Sequence, residues 1–180
     1  MSVVEREVRM GVSHAAAAAR KGGSGVIKAT FVNPFIHAGS EVLSKELNLP
    51  VQRGELTLEA SNATSSDVTI MLGVTGDPCG IVLYGMSEAT AKGIVSSMVG
   101  DPVPIFDEMA ESALAELGNL VTGMASVDLE KEGYLCRLTP PTVISGRGVI
   151  ISTVNISRIV VPILTSKGRI DISLCLRSSR

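Results

Sequence analysis

Asp67–Met86 reads DVTIMLGVTGDPCGIVLYGM, and its reading decides the fold class. Two β-prone runs, Asp67–Val74 and Cys79–Met86, are joined only by the turn Gly76-Asp77-Pro78. A parallel crossover needs about a dozen residues or more, so this pair must be an antiparallel hairpin. The same pattern returns near the C-terminus. There Ile159–Ser166 and Arg169–Leu176 flank Ser166-Lys167-Gly168, a good hairpin turn. Pro162 cannot donate a ladder hydrogen bond, which predicts an edge or bulge position for it.

Working outward, Val51–Ala60 alternates through Leu56 and Leu58 as a further strand. Short strands are also predicted at Tyr134–Leu138, before Pro140-Pro141, and at Val149–Asn155. Ile27–Phe31 is a short β-prone run. Helices separate these groups. Asn33 is placed as N-cap with Pro34 at the first helical position, and the helix runs to about Leu47. Phe35, Ile36, Ala38, Val42, Leu43 and Leu47 give its apolar stripe, and Asn48-Leu49-Pro50 ends it. Ser87 caps a second helix that reaches about Val99, closed by Gly100-Asp101-Pro102. The third, Val103–Ala125, is the most amphipathic stretch of the chain. The expected fold is α+β: a two-layer sandwich of helices on an antiparallel sheet. Helix-then-strands occurs twice, the pattern of an internal pseudo-duplication.

The domain is placed at residues 26–180. Residues 1–25 stand apart as an N-terminal appendage, with the Ala15–Ala19 run as helix former and Gly22-Gly23-Ser24-Gly25 as a flexible linker. Composition bounds the rest. At 45% hydrophobic and 19% charged the chain is that of a soluble globular protein. A net charge of −2 argues against nucleic acid as partner, since phosphates call for a basic stripe. No apolar run approaches the ~18 residues of a membrane span, and Glu5, Arg6, Glu7 and Arg9 interrupt any secretory signal, so a cytoplasmic protein is expected. The three cysteines, Cys79, Cys136 and Cys175, have no metal-ligand spacing and read as buried free thiols. No metal or cofactor of the chain's own is expected.

Familiar catalytic templates are missing, and two histidines make a triad improbable. His37 reads as surface or satisfied core. Attention therefore falls on the third helix. At about 100° per residue, Phe106, Ala110, Ala113, Leu117, Leu120, Val121 and Met124 occupy its apolar side. Glu108, Ser112, Ala115, Glu116, Asn119, Thr122 and Gly123 occupy the other. Asp101 or Val103 is placed as cap with Pro104 in the first turn, and Asp107 and Glu108 complement the helix dipole. Glu116 and Asn119 lie three positions apart and emerge side by side. Their neighbours, Ser112, Ala115, Gly118, Thr122 and Gly123, are too small to shield them. Each interior glycine costs roughly 1 kcal/mol against alanine, and asparagine competes with the helix backbone. An ordinary solvated face remains the plainer account of this pattern taken alone. Read as chemistry, a carboxamide can orient a water and a carboxylate can take a proton or grip a lysine. With no nucleophile or metal motif, such a helix could only complete an active site that another molecule supplies.

SALAELGN at 112–119, with Pro141 downstream, resembles the (D/S)xxxExxN…P signature of the CheC/CheX/FliY family of response-regulator phosphatases. FVNPFIHAGSEVL at 31–43 and LTPPTVISGRG at 138–148 are similar to the first helix and the Pro-rich strand entry of its CheX branch. The resemblance covers about residues 26–178. It implies a phosphatase of phosphorylated CheY-type regulators in chemotaxis signalling, with Asn119 positioning water against the aspartyl phosphate and Glu116 pairing with the regulator's lysine. Mg²⁺ would come from the bound regulator. Ser112, Ala115, Thr122 and Gly123 would face that partner. HAGSEVLSKELN in the first helix lacks the second ExxN of the CheC branch, since Ser44 follows Glu41 by three and Lys45 precedes Asn48 by three. The one-site CheX type, which resembles a homodimer, is therefore favoured. The competing expectation is a non-catalytic adaptor of the same fold that binds a receiver domain or a flagellar-switch component. A small-molecule hydrolase is a weaker third, for want of an opposed second carboxylate.

Overall fold

The computed structural model describes residues 29–48, 50–59, 62–64, 66–153 and 157–179; the expected appendage and its glycine linker lie outside them. Within the described residues the chain runs α1 (Ala29–Leu47), β1 (Gln52–Arg53), β2 (Thr57–Glu59), β3 (Asn62–Thr64), β4 (Val68–Gly76) and β5 (Cys79–Met86). It continues through α2 (Glu88–Val99), α3 (Glu108–Lys131), β6 (Cys136–Leu138), β7 (Thr142–Ser145), β8 (Ile150–Ser152), β9 (Arg158–Thr165) and β10 (Gly168–Arg177). The expected α+β sandwich of helices on an antiparallel sheet is what forms. The main sheet has the order β1-β9-β10-β5-β4-β6, with β2 also on β9 and β7 also on β4; β3 and β8 pair separately.

The two hairpins build the centre of that sheet. β4–β5 and β9–β10 meet through β5 and β10, so each hairpin puts its second strand inside and its first outside. This matches the repeat of helix-then-strands at the level of topology. Register then stacks one face into rows. Ile163, Ile170, Met86 and Val68 form one row; Val161, Ile172, Tyr84 and Ile70 the next; Ile159, Leu174, Val82 and Leu72 a third. All twelve are buried, because alternate residues of a strand share a face and this face lies under the helices.

Several boundaries differ from expectation, each for a physical reason. Residues 29–31 are helical, and Pro34 sits inside α1 instead of starting it. Phe31 and Val32 are fully buried, and Phe31 meets the Tyr134 ring edge-on at 5.0 Å. That packing outweighs the helix bond a proline forfeits. The strand expected at Val51–Ala60 is broken into β1 and β2 around Gly54, whose N–H donates to the Pro162 carbonyl at 2.7 Å. A residue's N–H and C=O point to the same side of a strand, so Pro162's missing donor faces this interruption and costs the β10 ladder nothing. Pro162 thus occupies the second strand from one edge, opposite a break. Among the described residues no helix is long and apolar enough to cross a membrane.

Candidate active site

Helix α3 starts later and ends later than its sequence pattern predicts. Its N-cap is Asp107, not Asp101 or Val103, with Asp107 Oδ1 accepting from the Ala110 N–H at 3.0 Å. Val103 is instead tied to the end of α2, its N–H donating to Ser96 Oγ at 2.9 Å. The helix continues to Lys131 because Leu129 is fully buried and holds the last turn down.

The inner face of α3 buries Ala110, Leu114, Leu117, Val121 and Ala125. Gly118 belongs with them. A Cβ there would lie 2.9 Å from Ile70 Cγ2 and 3.4 Å from Leu72 Cδ1, so this glycine lets the helix backbone settle on the sheet. Thr122 was expected to face a partner, and the structure corrects this. It is fully buried, its hydroxyl donating to the Gly118 carbonyl at 2.7 Å and lying 2.6 Å from the Tyr84 hydroxyl. A threonine can return its hydroxyl to the carbonyl four residues back, which makes it tolerable on a buried helix face. Here it also satisfies the Tyr84 phenol, whose ionisation burial pushes well above the ordinary tyrosine range. Leu120 is the converse correction: expected inside, it is 40% exposed.

On the outer face, Ser112, Glu116 and Asn119 are exposed, and Ala115 and Gly123 are half-buried. None of the three polar side chains is held by a hydrogen bond or ion pair among the described residues. Met109, Ser112, Glu116, Asn119, Leu120 and Gly123 fall within an arc of about 100°. The arc carries a carboxylate and a carboxamide that no described residue engages, next to exposed Met109 and Leu120. Met109, Leu120 and the contributions of α1 were not found from sequence. Met109 was legible in principle, three residues before Ser112; the α1 residues were not, because their approach is non-local.

α1 packs beside α3, and His37 Nδ1 lies 3.0 Å from Asp128 Oδ2, with His37 Nε2 3.3 Å from Glu41 Oε2. Lys131, hydrogen-bonded at 2.7 Å, is the main reason the Asp128 carboxyl sits below the ordinary aspartate range. Between the helices runs a groove of about 480 Å³ lined by Val42, Lys45 and Glu46 of α1 and by Asn119, Leu120, Gly123 and Met124. A second, polar recess of about 320 Å³ holds Thr69, Ser173 and the Glu59–Arg158 ion pair. It lies on the sheet face turned away from α3, since its strand residues alternate with the core rows. Pro141 precedes β7 and is half-buried. Cys79, Cys136 and Cys175 are all free; Cys175 is buried, the other two partly so.

Residues 68–164 match the family model described as Chemotaxis phosphatase CheX. A relative from Thermotoga maritima, the CheY-P phosphatase CheX, is 32% identical over 129 residues, spanning 71% of this chain and 83% of the relative. The chain belongs to the CheX family. Solved structures agree with that placement. The CheC-like superfamily protein of Shewanella sp. PV-4 superposes with a TM-score of 0.77 at 27% identity, covering 84% of this chain and all of that one. CheX in the CheX–CheY–BeF3–Mg²⁺ complex of Borrelia burgdorferi superposes with a TM-score of 0.73 at 25% identity, covering 82% and 98% of the two chains. Like this chain, the CheX family is built on α+β architecture, with helices packed on an open antiparallel sheet.

Proposed function

We propose that the chain is a phosphatase of a phosphorylated CheY-type response regulator in chemotaxis signalling, with Glu116 and Asn119 as its catalytic pair. The observation that carries this is their presentation: two adjacent polar side chains, exposed and unengaged within the described residues, on a helix of a CheX-family fold. The names of the relatives, one a CheY-P phosphatase and one in complex with CheY, supply the partner class.

The chemistry required of this chain is small. The Asn119 amide N–H donates to a water and its carbonyl accepts from the same water, leaving a lone pair aimed at phosphorus. The water oxygen forms the new P–O bond as the bond to the regulator's aspartyl oxygen breaks, releasing phosphate and free carboxylate. Glu116 accepts a hydrogen bond from a lysine of the regulator and so fixes the docking register. Ser112, Ala115 and Gly123 are small enough to let the regulator's site close over the pair. A divalent cation carried by the regulator supplies charge neutralisation on the phosphoryl oxygens. Among the described residues of this chain no three His, Cys, Asp or Glu side chains converge as a metal site. One site per chain and the CheX resemblance extend the proposal to a homodimer, which light scattering would test.

The test is phosphate release from phosphorylated receiver domains of the same genome, comparing wild type with Asn119→Ala and Glu116→Ala. The expected result is that wild type accelerates release from at least one receiver. Asn119→Ala should then lose activity but still bind, and Glu116→Ala should lose part of each. If wild type accelerates none of them, the enzyme reading fails and the adaptor of the same fold takes its place.

A further inference from the structure

Gly123 lies in the interior of α3, where glycine is a poorer helix residue than alanine, yet nothing among the described residues requires it. Its backbone has no positive φ that would exclude a side chain. A Cβ built on it meets no atom of the described residues within 4 Å, the opposite of Gly118. Neither its conformation nor packing among the described residues accounts for a bare position at this point. What Gly123 does line is the groove between α1 and α3, whose walls are Val42, Leu120 and Met124 with Lys45 and Glu46 beside them. Asn119 lines the same groove. A surface that delivers a phosphoryl group to Asn119 must therefore lay its neighbouring residues here.

We propose that Gly123 is the floor of a docking notch that receives an apolar side chain of the phosphorylated receiver domain, close to its phosphoaspartate. Leu120 and Met124 form the apolar walls, and together with Gly123 they select which receiver the site serves. This deepens the phosphatase reading and rests on it for the identity of the occupant. A side chain at position 123 fills the notch, so its cost falls on docking, while the helix itself gains by losing a glycine. Stability and affinity should move in opposite directions. A merely structural glycine would never do that.

The experiment compares wild type, Gly123→Ala, Gly123→Leu and Leu120→Asp by thermal unfolding, by steady-state phosphate release against receiver concentration, and by Kd for the beryllofluoride-loaded receiver. Gly123→Ala is expected to raise Tm by about 2–4 °C while raising KM by roughly threefold. Gly123→Leu and Leu120→Asp should each raise KM and Kd by about tenfold or more, with kcat falling less than that. The proposal is overturned if both leave KM and Kd within about twofold of wild type, an interval worth less than 0.5 kcal/mol. It is also overturned if they change only the oligomeric mass, which would assign the groove to a second copy of this chain. Should wild type release no phosphate yet bind the loaded receiver, the phosphatase reading fails alone. The Kd series then decides the notch: tenfold weakening upholds it, and unchanged binding ends it. Wild type that neither hydrolyses nor binds any receiver ends both.

Discussion

Gly118 and Gly123 stand five residues apart on one helix and answer to opposite surroundings. At Gly118 the sheet comes so close that a Cβ would sit 2.9 Å from Ile70, whereas at Gly123 no atom of the described residues comes within 4 Å. The same contrast divides the whole of α3. Its inner face is closed chemically as well as sterically: Thr122 turns its hydroxyl to Gly118 and Tyr84, and no polar atom is left over. Its outer face leaves Ser112, Glu116 and Asn119 without side-chain partners among the described residues. A helix that satisfies Thr122 on one side and leaves Ser112, Glu116 and Asn119 unengaged by described residues on the other is positioned by the first for use of the second.

The sharpest way to break the comparison is to place the same large side chain at both glycines. Gly118→Leu should destabilise the fold by roughly 1–3 kcal/mol through overpacking against Ile70 and Leu72, read from urea unfolding. Gly123→Leu should leave stability unchanged or slightly raised. Equal losses at both positions would erase the distinction between the faces.

Removing the polar closure of the inner face comes next. Thr122→Val leaves the buried Tyr84 hydroxyl without its partner and should cost roughly 1–2 kcal/mol. Tyr84→Phe together with Thr122→Val should recover much of that, because an apolar pair leaves nothing unsatisfied. A double variant as unstable as the single one would show that the hydroxyls contribute through packing alone.

The smallest effect concerns the α1–α3 seam. Asp128, held below its ordinary range chiefly by Lys131 and then by His37, stabilises the fold when ionised. A carboxyl depressed in the folded state contributes above its unfolded pKa and loses that contribution as pH falls through its folded one. Asp128→Asn should therefore cost less than about 1 kcal/mol at pH 7. The difference from wild type should shrink as pH drops below about 4, the unperturbed aspartate range. A gap that persists unchanged at pH 3 would remove the ionic explanation.

These outcomes also bear on how much was legible in the chain itself. The β4–β5 and β9–β10 hairpins were readable, with β5 and the Ser87 cap of α2 placed to the residue, because turn and capping chemistry are local. The Glu116/Asn119 pair was readable for the same reason, as a spacing on one helix. Thr122 and Leu120 were assigned to the wrong faces, since an even helical wheel cannot show that Tyr84 waits beneath one of them. The Gly54 break depends on Pro162, more than a hundred residues away, and the start of α1 depends on Tyr134. The groove needs two helices at once. What sequence hid was in each case a contact between distant segments.

The central claim is that the outer face of α3 does chemistry and not only binding. It is tested most directly by the decay of a phosphorylated receiver domain saturated with wild type or with Asn119→Ala. We predict that saturating wild type speeds the decay. Asn119→Ala, fully bound and equally stable, should slow it by about a hundredfold or more relative to wild type, the scale expected when one reaction-orienting group is lost. Decay at the wild-type rate in the saturated Asn119→Ala complex would contradict the assignment.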